Sequence, residues 1–460
     1  MKRLTLLILL ISTICNAQDK SSETTNKMVD SFVAKRMNDF QIPGLALAVI
    51  KDGKITKLKG YGVANLETMT PVTDESIFMI ASLSKQFIAT AILLLQQEQK
   101  LSIEDKVSKY LDSLPESWHQ ITLKQLLIHT SGLVRDPLDY QPYVKQEPME
   151  VIKAMFDIPL HATPGESWLY SNAGYYILAE VITRVSGQKW DDFIADDIFK
   201  PAGLTTMRVC STEAIVPNRV DGYHMEQDQR INAENWIAVR PSGAFLASTR
   251  DMAKWELFLE NGNLLNNSNY ILLWTQNQLN NGEIVEYGLG WYIHKFLDRT
   301  RIHHDGQYPG FRTDYERFTD DKLTVIVLAN NDNRDVSSIA IKVAGFYDTD
   351  LATPKFKIEV EKLKSEVNLI KETQIDVFAT VLDKNTTNCI VEIEIWDENG
   401  KPVFKQQKYN EPFNQSIRKK LSFKWTPEEK GSYTINLGIY GPGWSPSYSW
   451  SVGLASIKVK

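Results

Sequence analysis

The sequence predicts a mixed α/β protein of the α+β kind. One antiparallel sheet is assembled from strands at both ends of residues 18–354, flanked by helices, with a helical region inserted between them. An all-β module, residues 355–460, follows. Three observations predict this. Strand patterns bracket a helix-rich middle. Composition shifts near residue 354: residues 18–354 carry 33 Lys and Arg against 44 Asp and Glu, net −11, whereas residues 355–460 carry 16 against 13, net +3, with no His or Met. Beyond that point the apolar residues alternate with period two, the mark of half-buried strands.

Taken in order, residues 1–17 read as a secretory signal. Lys2 and Arg3 precede an apolar run, Leu4 to Ile14, and Cys15-Asn16-Ala17 places small residues at −3 and −1 of a cut. A lipid anchor on Cys15 is the weaker reading, because Ile14 is bulky where such sites take a small residue. The expected location is therefore secreted or periplasmic. A polar helix over about 24–39 leads into Leu45 to Ile50 and Ile55 to Tyr61, a hairpin about Asp52-Gly53. A strongly apolar helix spans about 83–97. Strands return at Tyr287 to His294, Phe311 to Phe318 and Leu323 to Leu328, and a helix over about 336–347 closes the domain. In the tail, Val391, Ile393 and Ile395 alternate with Glu392 and Glu394 before the turn signal Asn399-Gly400, and Tyr433 to Ile439 alternate again. A β-sandwich accounts for them most simply, with Pro354 and its neighbours as the hinge.

The 460 residues hold 51 Lys and Arg against 57 Asp and Glu, net −6, with 43% apolar and 23% charged residues. That excludes a disordered, collagen-like or coiled-coil chain. The acidic balance gives no reason to expect nucleic acid as a partner. Outside the signal, only Cys210 and Cys389 remain, in different domains, and they read as two partly buried thiols rather than a bridge.

The sharpest chemical signal is Ser82-Leu83-Ser84-Lys85, heading the apolar helix. Three residues make nearly one turn, so Ser82 and Lys85 share a face. A serine hydroxyl needs a base within hydrogen-bond reach to act as a nucleophile, and a buried lysine can serve. The spacing also occurs at Ser186/Lys189 and Ser416/Lys419, but only Ser82 heads a helix that would bury the pair. By itself the pair is matched by a capping serine with a surface lysine.

Two further stretches weigh on that choice. Tyr170-Ser171-Asn172 offers a phenol for acid/base work, if a nearby cation lowers its pKa, and an amide that can both donate and accept. A helix cap near Ala173 would also explain it. His304-Asp305-Gly306-Gln307 reads as a strand that lets a ligand approach its backbone, where an N–H could pair with that of Ser82 as an oxyanion hole. A bulged strand with ordinary polar histidines is the plainer account.

Together, in this order, the three elements resemble the serine β-lactamases and penicillin-binding proteins, in particular the class C β-lactamase branch with its D,D-peptidase and esterase relatives. Leu126 to Leu133, Ser242-Gly243-Ala244 and Tyr287 to Trp291 look like that branch too. The resemblance covers roughly residues 25–350. It implies a β-lactamase-like fold and an acyl-enzyme mechanism without cofactor or metal. Ser82 would be the nucleophile, with Lys85 and Tyr170 sharing proton transfer. Asn172, His304, Gly306 and Gln307 would bind substrate, and the N–H groups of Ser82 and Gln307 would form the oxyanion hole. His129 and Thr130 would shape the helical region. The implied partner is a small-molecule or peptide substrate: an ester, a D-amino-acid peptide or a β-lactam.

One departure bears on substrate. The β-lactamases proper carry Lys-Thr-Gly where this chain has His304-Asp305-Gly306, so a permanent cation for the substrate carboxylate is missing. Ester or D-amino-acid peptide cleavage therefore ranks above β-lactam hydrolysis. Two other classes compete. A metal hydrolase is disfavoured because the only adjacent histidines are His303-His304 and no His-Glu-x-x-His occurs. A binding protein on a retired scaffold is disfavoured because all three motifs look intact. Trp444, Tyr448 and Trp450 could mark cell-wall or polysaccharide contact by the tail, or serve as core aromatics of a small sandwich.

Overall fold

The computed structural model describes residues 23–460, apart from 137–140, 227–228, 235, 237–239, 333–335, 362 and 442–446. The leader reading over 1–17 and Trp444 lie outside the described residues. Among the described residues no helix is long and apolar enough to cross a membrane.

The chain divides into two compact units, one running to Lys295 and resuming over Arg299–Tyr347, the other comprising Phe296–Asp298 and Asp348–Lys460. The change falls ahead of Pro354. The turn Thr349–Leu351 is tied to the second unit, because Lys384 Nζ donates to the carbonyls of Thr349 and Asp350 at 3.5 and 3.1 Å.

In the first unit, helix α1 (23–39) precedes β1 (Gly44–Lys51) and β2 (Lys54–Asn65). Asp52 and Gly53 both have positive φ, 50° and 71°, as a two-residue hairpin turn of this twist requires. A short β3 (Thr70–Pro71) edges the sheet. The later strands are β4 (Tyr292–Phe296), β5 (Arg299–Tyr308), β6 (Phe311–Phe318) and β7 (Leu323–Ala329). The order is β4-β5-β6-β7-β1-β2-β3, with β1 antiparallel to both β7 and β2. The two ends of the domain therefore meet at the β1–β7 seam, as the sequence pattern predicts.

β1 and β7 are buried almost throughout, because both faces of the sheet are covered. On one face, Ala46, Ala48 and Ile50 join the core built around α2 (Lys85–Gln97) and α3 (Asn172–Ser186). Helix α4 (Thr249–Glu260) packs on β1 and β7. The closing helix α5 (Val336–Tyr347) packs on β6 and β7, and Phe346 meets Phe32 of α1 at a centroid distance of 5.5 Å.

One strand differs from expectation. Tyr287 to His294 is not continuous: β4 begins at Tyr292, and Gly288 to Trp291 make a turn. Gly290 has φ 79°, and a β-carbon there would lie 3.0 Å from the Lys85 carbonyl oxygen, so the chain bends to pass the head of α2.

The second unit consists of two antiparallel layers. Phe356–Val360, Thr373–Val381 and Arg418–Trp425 form one sheet; Thr386–Trp396, Pro402–Phe413, Gly431–Tyr440 and Ser447–Val459 form the other, with Glu366–Val367 parallel at its edge. Ile375, Val377, Ala379 and Val381 of one layer and Val391, Ile393 and Ile395 of the other are buried, as is Tyr448. Trp450 instead lies over Gly438 on the neighbouring strand, together with Tyr440. Cys210 and Cys389 are free and buried, one in each unit.

Candidate active site

α2 is buried from Lys85 through Leu95, so its first residue has no route to solvent along the helix. A 3-10 turn, Ala81–Ser84, leads into it, and Ser82 rides on that turn rather than on the α-helix itself. Ala81 sits at φ 50°, a left-handed conformation rare for a residue with a β-carbon. Neighbouring elements hold the turn in place. Ser84 Oγ accepts from Phe245 N at 3.0 Å, Thr313 Oγ1 donates to the Ile80 carbonyl at 3.1 Å, and Trp255 Nε1 donates to Gln86 Oε1 at 2.7 Å.

Lys85 Nζ lies 3.0 Å from Ser82 Oγ, 2.9 Å from Asn172 Oδ1 and 2.8 Å from the Ser242 carbonyl oxygen. The lysine side chain is fully buried, and burial first, then the nearby Arg240 charge, holds its pKa well below the ordinary value. A neutral amine has two N–H donors and one lone pair. Asn172 Oδ1 and the Ser242 carbonyl can only accept, so they take both hydrogens. The lone pair is left for the Ser82 hydroxyl, the arrangement a general base needs.

Tyr170 stands beside the pair, hydrogen-bonded to Ser82. Burial and the neighbouring Tyr292 push its phenol well above 10. The expectation that a cation lowers this pKa is reversed, because Lys85 Nζ sits 4.8 Å from the ring centroid, over the face, and is itself disposed to be neutral. At rest the Tyr170 phenol therefore keeps its proton and can donate it rather than act as a base. His129 packs against the Tyr170 ring at 4.3 Å, and its Nδ1 accepts from Ser171 N at 3.0 Å. It shapes the site from behind.

Asn172 opens α3, whose cap is Ser171: its hydroxyl accepts from Gly174 N at 3.2 Å. The Asn172 amide is largely committed within the protein. Oδ1 accepts from Lys85, and Nδ2 donates to Asp136 Oδ1 at 2.7 Å, which leaves one N–H toward the cleft. It is placed to orient the lysine first and to meet a substrate second.

The third motif lies on β5. His304 is buried and its pKa is lowered to about 4, by burial first. Nδ1 lies 2.6 Å from the Asp305 carbonyl oxygen, which can only accept, so Nδ1 carries the hydrogen. Nε2 therefore accepts from the Tyr287 hydroxyl at 3.0 Å. A neutral imidazole with both nitrogens engaged cannot replace a permanent cation toward a carboxylate. Asp305 does line the cleft, but Arg312 Nη2 holds it at 2.7 Å, and Arg312 Nη1 donates to Gln307 Oε1 at 2.9 Å. Gly306 brings the strand against the nucleophile turn: a β-carbon there would lie 2.5 Å from the Ile80 oxygen and 3.1 Å from Ala81 Cβ. This close approach sets Gln307 beside Ser82 at the edge of one cleft.

That cleft, about 710 Å³, is lined by Ser82, Tyr170, Asn172, His304 and Gln307. All the residues singled out in the three motifs thus converge, with Lys85 directly beneath Ser82. Tyr170 and Tyr292 stack along one wall at 6.5 Å, and Trp236 and Tyr308 form a second aromatic pair at 4.9 Å. Among the described residues no group of His, Cys, Asp or Glu is arranged to hold a metal ion.

Sequence reasoning missed four contributors: the Ser242 carbonyl, Asp136, Arg240 and Tyr287. Two of these lie in stretches that looked familiar, but a carbonyl carries no side-chain signature, and Asp136 and Arg240 meet only through the fold.

The β-lactamase family model matches residues 29–345. Penicillin-binding protein 4* of Bacillus subtilis (strain 168) is 30% identical over 318 residues, which is 64% of this chain and 69% of that protein. Among solved structures, the octameric penicillin-binding protein homologue from Pyrococcus abyssi superposes with a TM-score of 0.64 at 20% identity, covering 90% of this chain and 97% of that one. The D-amino acid amidase from Ochrobactrum anthropi SV3 complexed with D-phenylalanine superposes with a TM-score of 0.61 at 22% identity, covering 72% and 98%. These two likenesses are of fold.

Proposed function

The chain belongs to the β-lactamase family, and from that premise we propose that it is a secreted serine hydrolase that cleaves an ester or D-amino-acid peptide through an acyl-enzyme on Ser82. The observation that carries the reading is the hydrogen-bond inventory of Lys85. Nζ stands among Asn172 Oδ1, the Ser242 carbonyl and Ser82 Oγ at 2.9, 2.8 and 3.0 Å; in the neutral amine that burial favours, the two obligate acceptors take both hydrogens and the lone pair is left for Ser82.

In the proposed acylation, the Lys85 amine takes the Ser82 proton as Oγ attacks the substrate carbonyl carbon. The oxyanion is received by the N–H groups of Ser82 and Gln307. As the tetrahedral intermediate collapses, Tyr170 gives its proton to the leaving alcohol or amine and is reprotonated from the Lys85 ammonium. Deacylation reverses the roles: a water loses its proton to the tyrosine–lysine pair and attacks the ester carbonyl, and Ser82 leaves with that proton. Lys85 over the faces of Tyr170 and Tyr175, at 4.8 and 5.3 Å, supports this cycle, because both rings stabilise the transient ammonium.

β-Lactam turnover ranks below ester or peptide cleavage, since His304 is neutral and engaged with Tyr287. Acylation by a penicillin remains an expected reaction of the same nucleophile. The test is the intact mass of the mature protein mixed with a penicillin or a p-nitrophenyl ester, alongside Ser82→Ala. An acyl adduct on wild type and none on the variant is the expected result. A Ser82→Ala variant that turns over every substrate at the wild-type rate would overturn the assignment.

A further inference from the structure

Lys85 has two fixed acceptors, and they come from different parts of the chain. Asn172 opens α3, and the Ser242 carbonyl belongs to the turn Pro241–Gly243. One ion pair joins these two segments. Asp136 Oδ1 accepts from Asn172 Nδ2 at 2.7 Å and from Arg240 Nη2 at 2.6 Å. Arg240 immediately precedes the turn that carries the Ser242 carbonyl. On the other side, the Asn172 backbone N–H donates to the carbonyl of Arg135, the residue before Asp136, at 2.7 Å.

We propose that Asp136 and Arg240 act as a positioning clamp that fixes both acceptors of Lys85 and so directs its lone pair at Ser82. Neither residue touches the reacting atoms. The proposal rests on the reading of Lys85 as general base. Its content is geometric. If Asn172 or the Ser242 carbonyl swings away, the amine regains rotational freedom, and its lone pair is no longer confined to the serine. Both residues line the cleft, but the Asp136 side chain is 39% exposed and more screened by solvent, while that of Arg240 is 16% exposed.

The pair also bears on Lys85 electrostatically, in opposite directions. Arg240 disfavours the ammonium and Asp136 favours it. The other charged or titratable groups around Nζ are Arg135, Asp305, His304 and His129, with the phenols of Tyr170 and Tyr175. Of these, Arg135 is itself paired with Asp136, Nε to Oδ2 at 3.4 Å, so Asp136→Asn also releases its charge, which disfavours the ammonium and acts in the same direction as the loss of Asp136 itself.

This gives a readout that a merely structural pair would not produce. The acid limb of kcat/KM reports deprotonation of the base in the free enzyme. Asp136→Asn removes the group that favours the ammonium, so the limb moves to lower pH. Arg240→Gln removes the group that disfavours it, so the limb moves to higher pH. Both variants lose kcat, by roughly 10- to 100-fold for a loosened catalytic geometry, with little change in KM. Arg240→Lys, which keeps the charge, restores the limb. The assay is the pH dependence of p-nitrophenyl ester hydrolysis by the full chain, with thermal melting to show that each variant is folded.

Limbs that move apart, with kcat reduced, support the clamp. Limbs that stay together in folded variants, or kcat within twofold of wild type, overturn it. The underlying reading fails separately: a wild-type protein that forms no adduct at Ser82 removes the base assignment itself, whatever the variants do.

Discussion

Replacing Gly306 by alanine tests whether the contact between β5 and the nucleophile turn sets the catalytic geometry. A β-carbon at 306 would meet the Ile80 carbonyl oxygen at 2.5 Å and Thr313 Oγ1 at 2.3 Å. Ordinary contact begins at 3.4 Å, so strand and turn must separate by about 0.9 Å, the difference between 3.4 and 2.5. The threonine hydroxyl can rotate aside, but it then gives up its bond to the Ile80 oxygen. The Ile80 carbonyl is backbone and cannot rotate alone. The separation opens the gap between the N–H groups of Ser82 and Gln307, the proposed oxyanion donors. A misplacement near 1 Å costs roughly 10²-fold in rate, and overpacking costs about 1–3 kcal/mol of stability. The assay is ester hydrolysis across pH together with thermal melting. The expected result is a kcat down roughly 100-fold and an acid limb unmoved, since no charged group near Lys85 has been removed and both of its fixed acceptors, Asn172 and the Ser242 carbonyl, stay in place. A Gly306→Ala enzyme within twofold of wild type would show that the close approach is packing alone.

Two further outcomes follow from His304, which is buried, and His294, which is partly so. Tyr287→Phe removes the partner of His304 Nε2 and leaves a buried nitrogen unpaired, at a cost of about 1–3 kcal/mol; an unchanged urea midpoint would refute a stabilising Tyr287–His304 hydrogen bond. Burial holds His294 and His304 near 4, against 6.5 in an unfolded chain. The unfolded chain therefore binds more protons between those values. Stability is full above pH 6.5 and falls as pH drops from 6.5 to 4, by at most about 1.4 kcal/mol per pH unit for each histidine. Urea titrations at pH 7 and pH 4.5 measure this, and equal stability at both would contradict the neutral buried state.

The three motifs were legible because each is a run of neighbouring residues whose chemistry and spacing are written in one stretch of chain. Ser82 and Lys85 sit three residues apart, a spacing shared by Ser186/Lys189 and Ser416/Lys419, and the apolar run that follows singled this pair out. The apolar run behind them already implied burial, and hence a lysine able to act as a base. The seam between β1 and β7 was likewise foreshadowed by strand patterns at the two ends. The broken strand at Gly288 to Trp291 was not: its two glycines are compatible with a bulged strand as well as a turn, and the close approach of the Lys85 carbonyl at Gly290 comes only with the fold.

What the sequence determined by itself, then, is local: which side chains are candidates for nucleophile and base, most of the helix and strand segments, and the absence of a permanent cation from the third motif. Tertiary structure alone decided the protonation logic of the site. A pKa depends on what surrounds a group, and those surroundings come from far away in sequence. The Ser242 carbonyl claims one hydrogen of Lys85. The Asp305 carbonyl fixes the tautomer of His304, Tyr287 supplies the partner of its other nitrogen, and Tyr292 helps drive the Tyr170 phenol upward rather than downward. The Asp136–Arg240 pair spans 104 residues of chain, and no spacing rule joins two such positions. Burial of a whole helix supplied the desolvation, and only the assembled core could do that.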